Sequence, residues 1–581
     1  MEKIFETLSV RALNSSRYLH PLSYLGLRLF IDSFSKSRNL SLGYRFIKRK
    51  ILTRKNWRYY NYPGLKGISS ESGIEYRTFT VGSPTTLLAE AAILKSLSTE
   101  PIFEPPACAF SYLWPISGKG GRNFAYYLEG YNKRNLAITD LMKTSPNDVV
   151  YIFDIEKFYP KVSKTFLLDR LTKRLQKLTD RTNNKNVLDY VEYFLSTSDN
   201  GIPIGPDMGH LLGHVALEDV DSELSKKYGG KYLRYVDDIV IVSDKNRIEQ
   251  VAYDLTRSLE KIELSLNIGK QDTLTAEEWI NNVPVIEHQN DKISFGTLLS
   301  YLSIYLNRTP ASYNILCKTF RDQGFALPFS RLRSMSQYKR YLIYLNALFN
   351  RRGRGIRWWK KALTMSNIEL LEMAKHIRDN MIRELKSVEV DIDSLVGIKR
   401  RWHIQKLRFL TNRLLYLLSP KDYGYLVQLI PDVDELQEIR KILLAFDSED
   451  ITELLKLPGR VISTFCELWT ETKSDEPRFY IEEISEIESI SLATLSLNQV
   501  ITLPQEIIEK APSHLKGLLN CCSANYKGGE EIEVLSYLDE LRTLLYGYEK
   551  EELKEQLTTR FNYKEGIFLD GLRLGGSEFS D

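Results

Sequence analysis

Apolar positions along the chain change their spacing twice. From Met1 to about Arg58 they recur at a helical period among basic residues. Residues 59–148 mix glycine, proline and aromatics with short extended stretches, and one helix is predicted over Thr85–Leu97, started by Ser83-Pro84. Between 149 and 300 strands alternate with helices. Val149–Phe153 and Ile239–Val242 are short runs rich in β-branched and aromatic residues, as buried strands require. Thr165–Lys177 and Ile248–Ile262 carry an apolar stripe at helical spacing. After about residue 300 the helical period dominates, as in Ile404–Leu418, Val433–Leu444 and Glu533–Leu545, with breaks at Pro420, Pro431, Pro458 and Pro504. The texture is that of stacked helical hairpins without a fixed repeat length. The expected fold class is α+β, with a large all-α C-terminal part.

Composition narrows this little. A chain of 581 residues predicts roughly two to four domains. The hydrophobic share of 43% and mean hydropathy of −0.28 describe a globular protein with a real core. No apolar run approaches the roughly 18–20 residues that span a bilayer. The start, Met1–Arg17, has no apolar core segment and carries Glu2 and Glu6, so no secretory or transit signal is expected. Five scattered cysteines, two of them the pair Cys521–Cys522, show neither disulfide nor metal-ligand spacing, and a reducing cytoplasm is the simplest compartment. Charge is more telling. The net +4 divides into about +20 over residues 1–430 and about −16 over 431–581, which points the first part at a polyanion such as nucleic acid.

Chemistry concentrates at two strand ends. Val149-Val150-Tyr151-Ile152-Phe153 runs into Asp154, and Asp237-Asp238 interrupts Tyr232–Val242, which otherwise reads as one hairpin. Carboxylates set among such strands are costly unless a cation compensates them. Gathered together, three of them would hold Mg²⁺, a hard ion that recruits substrate phosphates, in a two-ion site for phosphoryl transfer. An Asp-Asp pair alone fits a tight metal-free hairpin turn better than a metal site.

The order of further segments decides between these. Asp154-Ile155-Glu156-Lys157-Phe158-Tyr159, Gly201-Ile202-Pro203-Ile204-Gly205-Pro206-Asp207-Met208, Tyr235-Val236-Asp237-Asp238, Leu264–Lys270 and Ile293-Ser294-Phe295-Gly296 succeed one another in a series. That series resembles the palm motifs of reverse transcriptases, ending in a primer-grip hairpin. The resemblance implies fingers and a ferredoxin-like palm: residues 1–148 as N-terminal helical region and fingers, 149–300 as palm, and 301–581 as a helical domain. It assigns metal binding to Asp154, Asp237, Asp238 and the Ile155 carbonyl. Tyr159 would exclude a 2′-hydroxyl by collision. Gly205 would let backbone approach the base pair. Lys270, Lys119, Arg122 and Arg77 would serve the triphosphate. The family commonly has glutamine at the place of Ile204 and serine near Gly209, which changes how the templating pair is held. His210 and His214, four apart, lack the partners of a zinc site and read as packing residues.

The C-terminal half shows no acidic set for a ribonuclease H and no His/Cys-rich nuclease tail. The retron signatures are missing as well, apart from a fragment at Asn346-Ala347-Leu348-Phe349-Asn350. A palm followed by a long helical region resembles the bacterial abortive-infection and unknown-group reverse transcriptases, which act against phage. In them helical repeats replace the thumb, and some prime untemplated DNA from a tyrosine. That resemblance implies dNTPs as substrates and RNA or single-stranded DNA as partner. It also implies covalent DNA on one of Tyr480, Tyr526, Tyr537, Tyr546, Tyr548 or Tyr563; we further expect a homo-oligomer and no membrane contact. Arg351, Arg352, Arg354, Arg357, Trp358 and Trp359 combine cations with indoles and are expected to hold nucleic acid, a theme repeated at Lys399-Arg400-Arg401-Trp402. The alternatives are a retron-like or mobile-element enzyme copying one dedicated RNA, and an inactive RNA-binding scaffold.

Overall fold

A computed structural model describes residues 1–17, 20–36, 39–115, 121–283, 294–333, 361–387, 392–473, 475–523, 533–562 and 565–567. Three helices open the chain: α1 (Glu2–Ser16), α2 (Pro21–Lys36) and α3 (Leu40–Phe46), the last continuing into a π-helical turn, Ile47–Leu52. A two-stranded antiparallel hairpin follows, β1 (Tyr59–Ser69) and β2 (Gly73–Gly82), with an irregularity between Leu65 and Gly67. Helix α4 (Pro84–Leu97) begins where its sequence predicts. Pro84 needs no N–H in the first turn, and the Ser83 side chain accepts from the Thr86 amide.

After α5 (Tyr127–Thr144) comes the central sheet. Strand β3 (Asp148–Asp154) leads through α6 (Lys164–Leu175), α7 (Arg181–Ser196), α8 (Asp207–Ala216) and α9 (Glu218–Tyr228) to β4 (Tyr232–Tyr235). Then come β5 (Asp238–Asp244), α10 (Ile248–Glu260), β6 (Asp272–Thr275) and α11 (Ala276–Asn282). The spatial order is β4-β5-β3-β6, with every neighbouring pair antiparallel. Side chains alternate between faces along each strand. Val149, Tyr151, Phe153, Ile239 and Ile241 therefore enter the main core with α6 to α10. Val150, Ile152, Val240 and Val242 turn the other way, into a smaller core with Ile138 and Met142 of α5 and Trp279 of α11. Each such side chain stabilises the sheet by roughly 1.5–3 kcal/mol when fully buried.

Two features of the C-terminal half were not foreseen. Ser294, Phe295 and Gly296 do not form a primer-grip hairpin: Ser294 caps helix α12 (Phe295–Arg308), accepting from the Thr297 amide, and Ile293 lies outside the described residues. An apolar stripe at helical spacing, Phe295, Leu298, Leu299 and Leu302, overrides the strand-like start. The other feature is the docking of a long helix after α13 (Asn367–Ser387), namely α14 (Gly397–Leu417), on the smaller core. Trp402 meets Trp279 edge-on at 5.3 Å, Lys399 pairs with Glu278 at 2.7 Å, and the Ile398 amide donates to Asp272 Oδ2 at 2.6 Å. Gly397, at φ +59, is required there, because a Cβ would collide with the same Asp272 carboxylate.

The Lys399–Trp402 segment is thus not a second nucleic-acid patch. Lys399 and Arg400 are held by Glu278 and Glu435, and the Trp402 indole is buried. Helix α2 in turn packs against α15 (Tyr537–Leu545) and α16 (Lys550–Thr558). Arg28 donates to the Thr559 carbonyl, and Arg28 and Arg331 both reach the buried Glu565. No described helix is long and apolar enough to cross a membrane.

Candidate active site

Antiparallel pairing brings the carboxylates together. Asp154 ends β3 directly opposite Asp238, the first residue of β5, so both point to the face that carries Ile152 and Val240. Asp237 occupies the turn before β5, and its carbonyl accepts from the Ile155 amide at 3.3 Å. Asp154 is 1% exposed and Asp237 4%. Turn residue Val236 adopts φ +55, a strained conformation for a β-branched residue. Two bonds hold it there: its amide donates to Ser111 Oγ at 2.9 Å and its carbonyl accepts from Arg234 at 2.9 Å. Arg234 is locked in turn by the buried Asp221, at 2.6 Å.

The electrostatics are unfavourable for the carboxylates alone. Burial, and then the neighbouring charges of Asp238 and Asp154, push the Asp237 carboxyl well above the usual range, while Lys270 pulls the other way. Lys270 Nζ stands 3.4 Å from Asp154 Oδ2, and Asn267 donates its amide N–H to the Asp154 carbonyl at 2.8 Å and its side chain to Oδ2 at 3.3 Å. Arg401 of α14 approaches Asp238 at 3.9 Å. Among the described residues, no three His, Cys, Asp or Glu side chains stand close enough together to form a ready metal cluster. The donor set nevertheless fits a divalent cation, since hard carboxylate oxygens that repel one another in a buried site are what such an ion neutralises.

The other expected residues lie on separate segments of the chain. Tyr159 is buried, and its hydroxyl meets His210 Nδ1 at 3.0 Å. His210 stacks on Tyr112 with centroids 3.6 Å apart, and His214 meets the Ser111 carbonyl at 3.1 Å and Arg234 at 3.2 Å. Burial lowers the His210 pKa to about 3, so both histidines are neutral packing and bonding groups, as their sequence context implies. Gly201, at φ +62, brings the chain back so closely that a Cβ would strike the Tyr159 carbonyl, which accepts from the Ile202 amide. Gly205 has φ +127. Arg77 lies on β2 opposite Gly64, and Arg122 sits over the Tyr126 ring at 4.6 Å. Lys119 and the segment from Arg351 to Trp359 lie outside the described residues.

Sequence reasoning missed Asn267 and Arg134. Asn267 sits inside the recognised Leu264–Lys270 segment and was within reach. Arg401 is marked in the sequence only as part of the basic Lys399–Trp402 theme, and no local signal places it beside Asp238. Between α14 and the sheet is a cavity of about 140 Å³, lined by Asp238, Ile152, Trp279, Arg134, Arg401 and Trp402 among others. Arg134 is buried beneath Tyr131 and Tyr235, at 4.9 and 5.5 Å, and donates to Asn135 Oδ1.

One of the comparisons with known proteins, the family match, agrees with this geometry. No curated protein sequence matches the chain. One similar solved structure is that of telomerase from Candida albicans in complex with a fragment of telomeric RNA. It has 10% identity and a TM-score of 0.29 over 64% of this chain and 68% of that one, a likeness too slight to carry an argument. The family described as reverse transcriptase (RNA-dependent DNA polymerase) matches residues 88–295, a span that contains Asp154, Asp237 and Asp238. The chain therefore carries a reverse-transcriptase domain and is an enzyme of the RNA-directed DNA polymerase class.

Proposed function

We propose that this protein is a Mg²⁺-dependent DNA polymerase acting in bacterial antiphage defence, with the helical half from residue 301 in place of a thumb. The observation that carries the polymerase reading is the convergence of Asp154 and Asp238 on one sheet face beside Asp237, within the matched domain. The sheet order, with helices between its first two and its last two strands, is that of a ferredoxin-like palm. Asp154, Asp237 and Asp238 would hold Mg²⁺, which when bound activates the attacking hydroxyl and neutralises the leaving phosphate. Lys270, beside Asp154, would donate to the departing pyrophosphate. Tyr159, fixed by His210, walls the sugar side and favours deoxynucleotides. Helix α14 brings Arg401 to the same face, 3.9 Å from Asp238, so the C-terminal half contributes a cation at the edge of the catalytic site.

The defence role and protein priming rest on the union of this palm with a helical C-terminal half. Exposure favours two of the candidate tyrosines: Tyr480 is 70% exposed and Tyr546 48%. Tyr537 is buried against Ser23 and His20, and Tyr548 is half-buried beside Asp32. Tyr526 and Tyr563 lie outside the described residues. The test is incubation of nuclease-treated protein with Mg²⁺ and labelled dNTPs, without primer or template. Deoxynucleotide label that survives denaturation on the wild type, and is lost in Tyr480→Phe or Tyr546→Phe, supports protein priming. Synthesis that occurs only on an added primed RNA template assigns the enzyme to conventional copying and removes the priming claim.

A further inference from the structure

We propose that the segment Arg45–Arg54 is a nucleic-acid-binding ridge that grips the phosphate backbone of a strand outside the palm. Residues 33–70 contain ten lysines and arginines and no aspartate or glutamate. Within them α3 passes into the π-helical turn Ile47–Leu52, a rare element often found at functional sites. Gly43, Ile47 and Ile51 are buried and anchor the segment against α1 and α4. Lys48, Arg49 and Lys50 are all exposed between the two isoleucines, with Arg45 and Arg54 exposed on either side.

The ion pairs divide this surface. Lys55 pairs with Asp189 and Arg58 with Glu540, whereas Arg45, Lys48, Arg49, Lys50 and Arg54 have no acidic partner among the described residues. Arg45 and Arg49 are four apart, as are Lys50 and Arg54. Like charges at that spacing destabilise a helix, and a purely solvated face relieves them with interspersed acids. Phosphates relieve them equally well and release counterions as they bind. An aromatic lies nearby: Tyr193, 39% exposed, packs on Trp57 at 5.8 Å and offers a ring to an unpaired base.

The ridge also has a direct mechanical link to the palm. It runs through Trp57 into β1, β1 pairs with β2, and the Thr80 amide of β2 donates to the Ile204 carbonyl at 2.8 Å, one residue before Gly205. A strand held at the ridge is thus held relative to the Gly201–Met208 segment of the palm. The identity of the partner as nucleic acid rests on the polymerase reading; the ridge itself stands on charge and geometry.

The experiment compares the full chain with K48E/R49E/K50E for binding of labelled single-stranded RNA, and DNA of the same sequence, across a salt series. The triple variant is expected to bind at least about 10-fold more weakly. Its slope of log affinity against log salt should be shallower by about 2, from three lost phosphate contacts at roughly 0.7 each. The RNA and DNA arms decide whether the sugar is read. K48Q/R49Q/K50Q should show the same slope change, so a folding defect in the charge-reversed protein leaves the test intact. Primer extension by the wild type is read in parallel: extension with unchanged binding in both triple variants rejects the ridge alone, whereas absent extension rejects the polymerase reading. Unchanged affinity and slope in both triple variants would overturn the proposal. So would wild-type binding to phosphatidylserine vesicles without binding to either oligonucleotide.

Discussion

The two faces of the central sheet are made by the same strands yet do opposite work. Toward α6–α10, Val149, Tyr151, Phe153, Ile239 and Ile241 present an apolar surface, flanked on β4 by Arg234 and its buried partner Asp221. On the other face the series Val150, Ile152 ends in Asp154, and Val242, Val240 ends in Asp238. The apolar face is closed by neighbouring helices of the same domain. The carboxylate face is closed by α5 and α11 and, from the far end of the chain, by Trp402 and Arg401 of α14. Apart from the Arg234–Asp221 pair that holds the Val236 turn, one face supplies stability with little constraint beyond volume. The other balances like charges at its tip, so stability and reactivity are set by the same few residues.

Truncating the cover of the carboxylate face breaks this contrast most severely. Trp402→Ala should lower unfolding free energy by about 3–5 kcal/mol in denaturant titrations, because a large indole leaves a cavity beside Trp279 and Ile152. On the opposite face Ile241→Ala should cost about 2–4 kcal/mol and leave the rate per folded molecule near wild type. If Ile241→Ala instead abolishes turnover in folded protein, the division between the faces fails.

A smaller effect concerns Glu90, which caps the start of α8 behind the apolar face by accepting from the Met208 amide at 2.6 Å. Burial, reinforced by Asp207, raises its pKa to about 8. The folded state therefore keeps this proton while the unfolded chain loses it. Stability is full below the ordinary glutamate range and falls as pH rises toward 8. Glu90→Gln should flatten that fall, shrinking the difference between pH 5 and pH 8 by about 1–3 kcal/mol in melts at the two values. Least is expected of Arg401→Gln. A half-exposed cation 3.9 Å from Asp238 contributes little energy. Its removal should lower the Mg²⁺ concentration for half-maximal extension by about 2–5-fold, equivalent to roughly 0.5–1 kcal/mol.

Much of the catalytic face was legible because its determinants are local. A strand ending in Asp154, a hairpin broken by Asp237-Asp238 and a Ser83-Pro84 helix start are written within a few residues, and the structure realises each. The Leu264–Lys270 segment likewise reaches Asp154, through Asn267 and Lys270. What escaped depends on distant docking. Nothing near Arg401 announces that α14 will lie on the sheet, and Arg400 and Trp402 suggested solvent or nucleic acid while they pack against Glu435 and Trp279. The stretch after Ser294 misled for a different reason: four residues carry too little periodicity to separate a strand from the first turn of α12.

The most direct test of the account is extension of a DNA primer on an RNA template by the wild type and by Asp237→Asn. Asparagine keeps the shape and removes one of three mutually repelling charges, so the variant should melt at or above the wild-type temperature. Its extension rate should fall by about 10³-fold, the loss of several kcal/mol of transition-state stabilisation. A folded Asp237→Asn protein that extends the primer within a few-fold of wild type would contradict the assignment of this site.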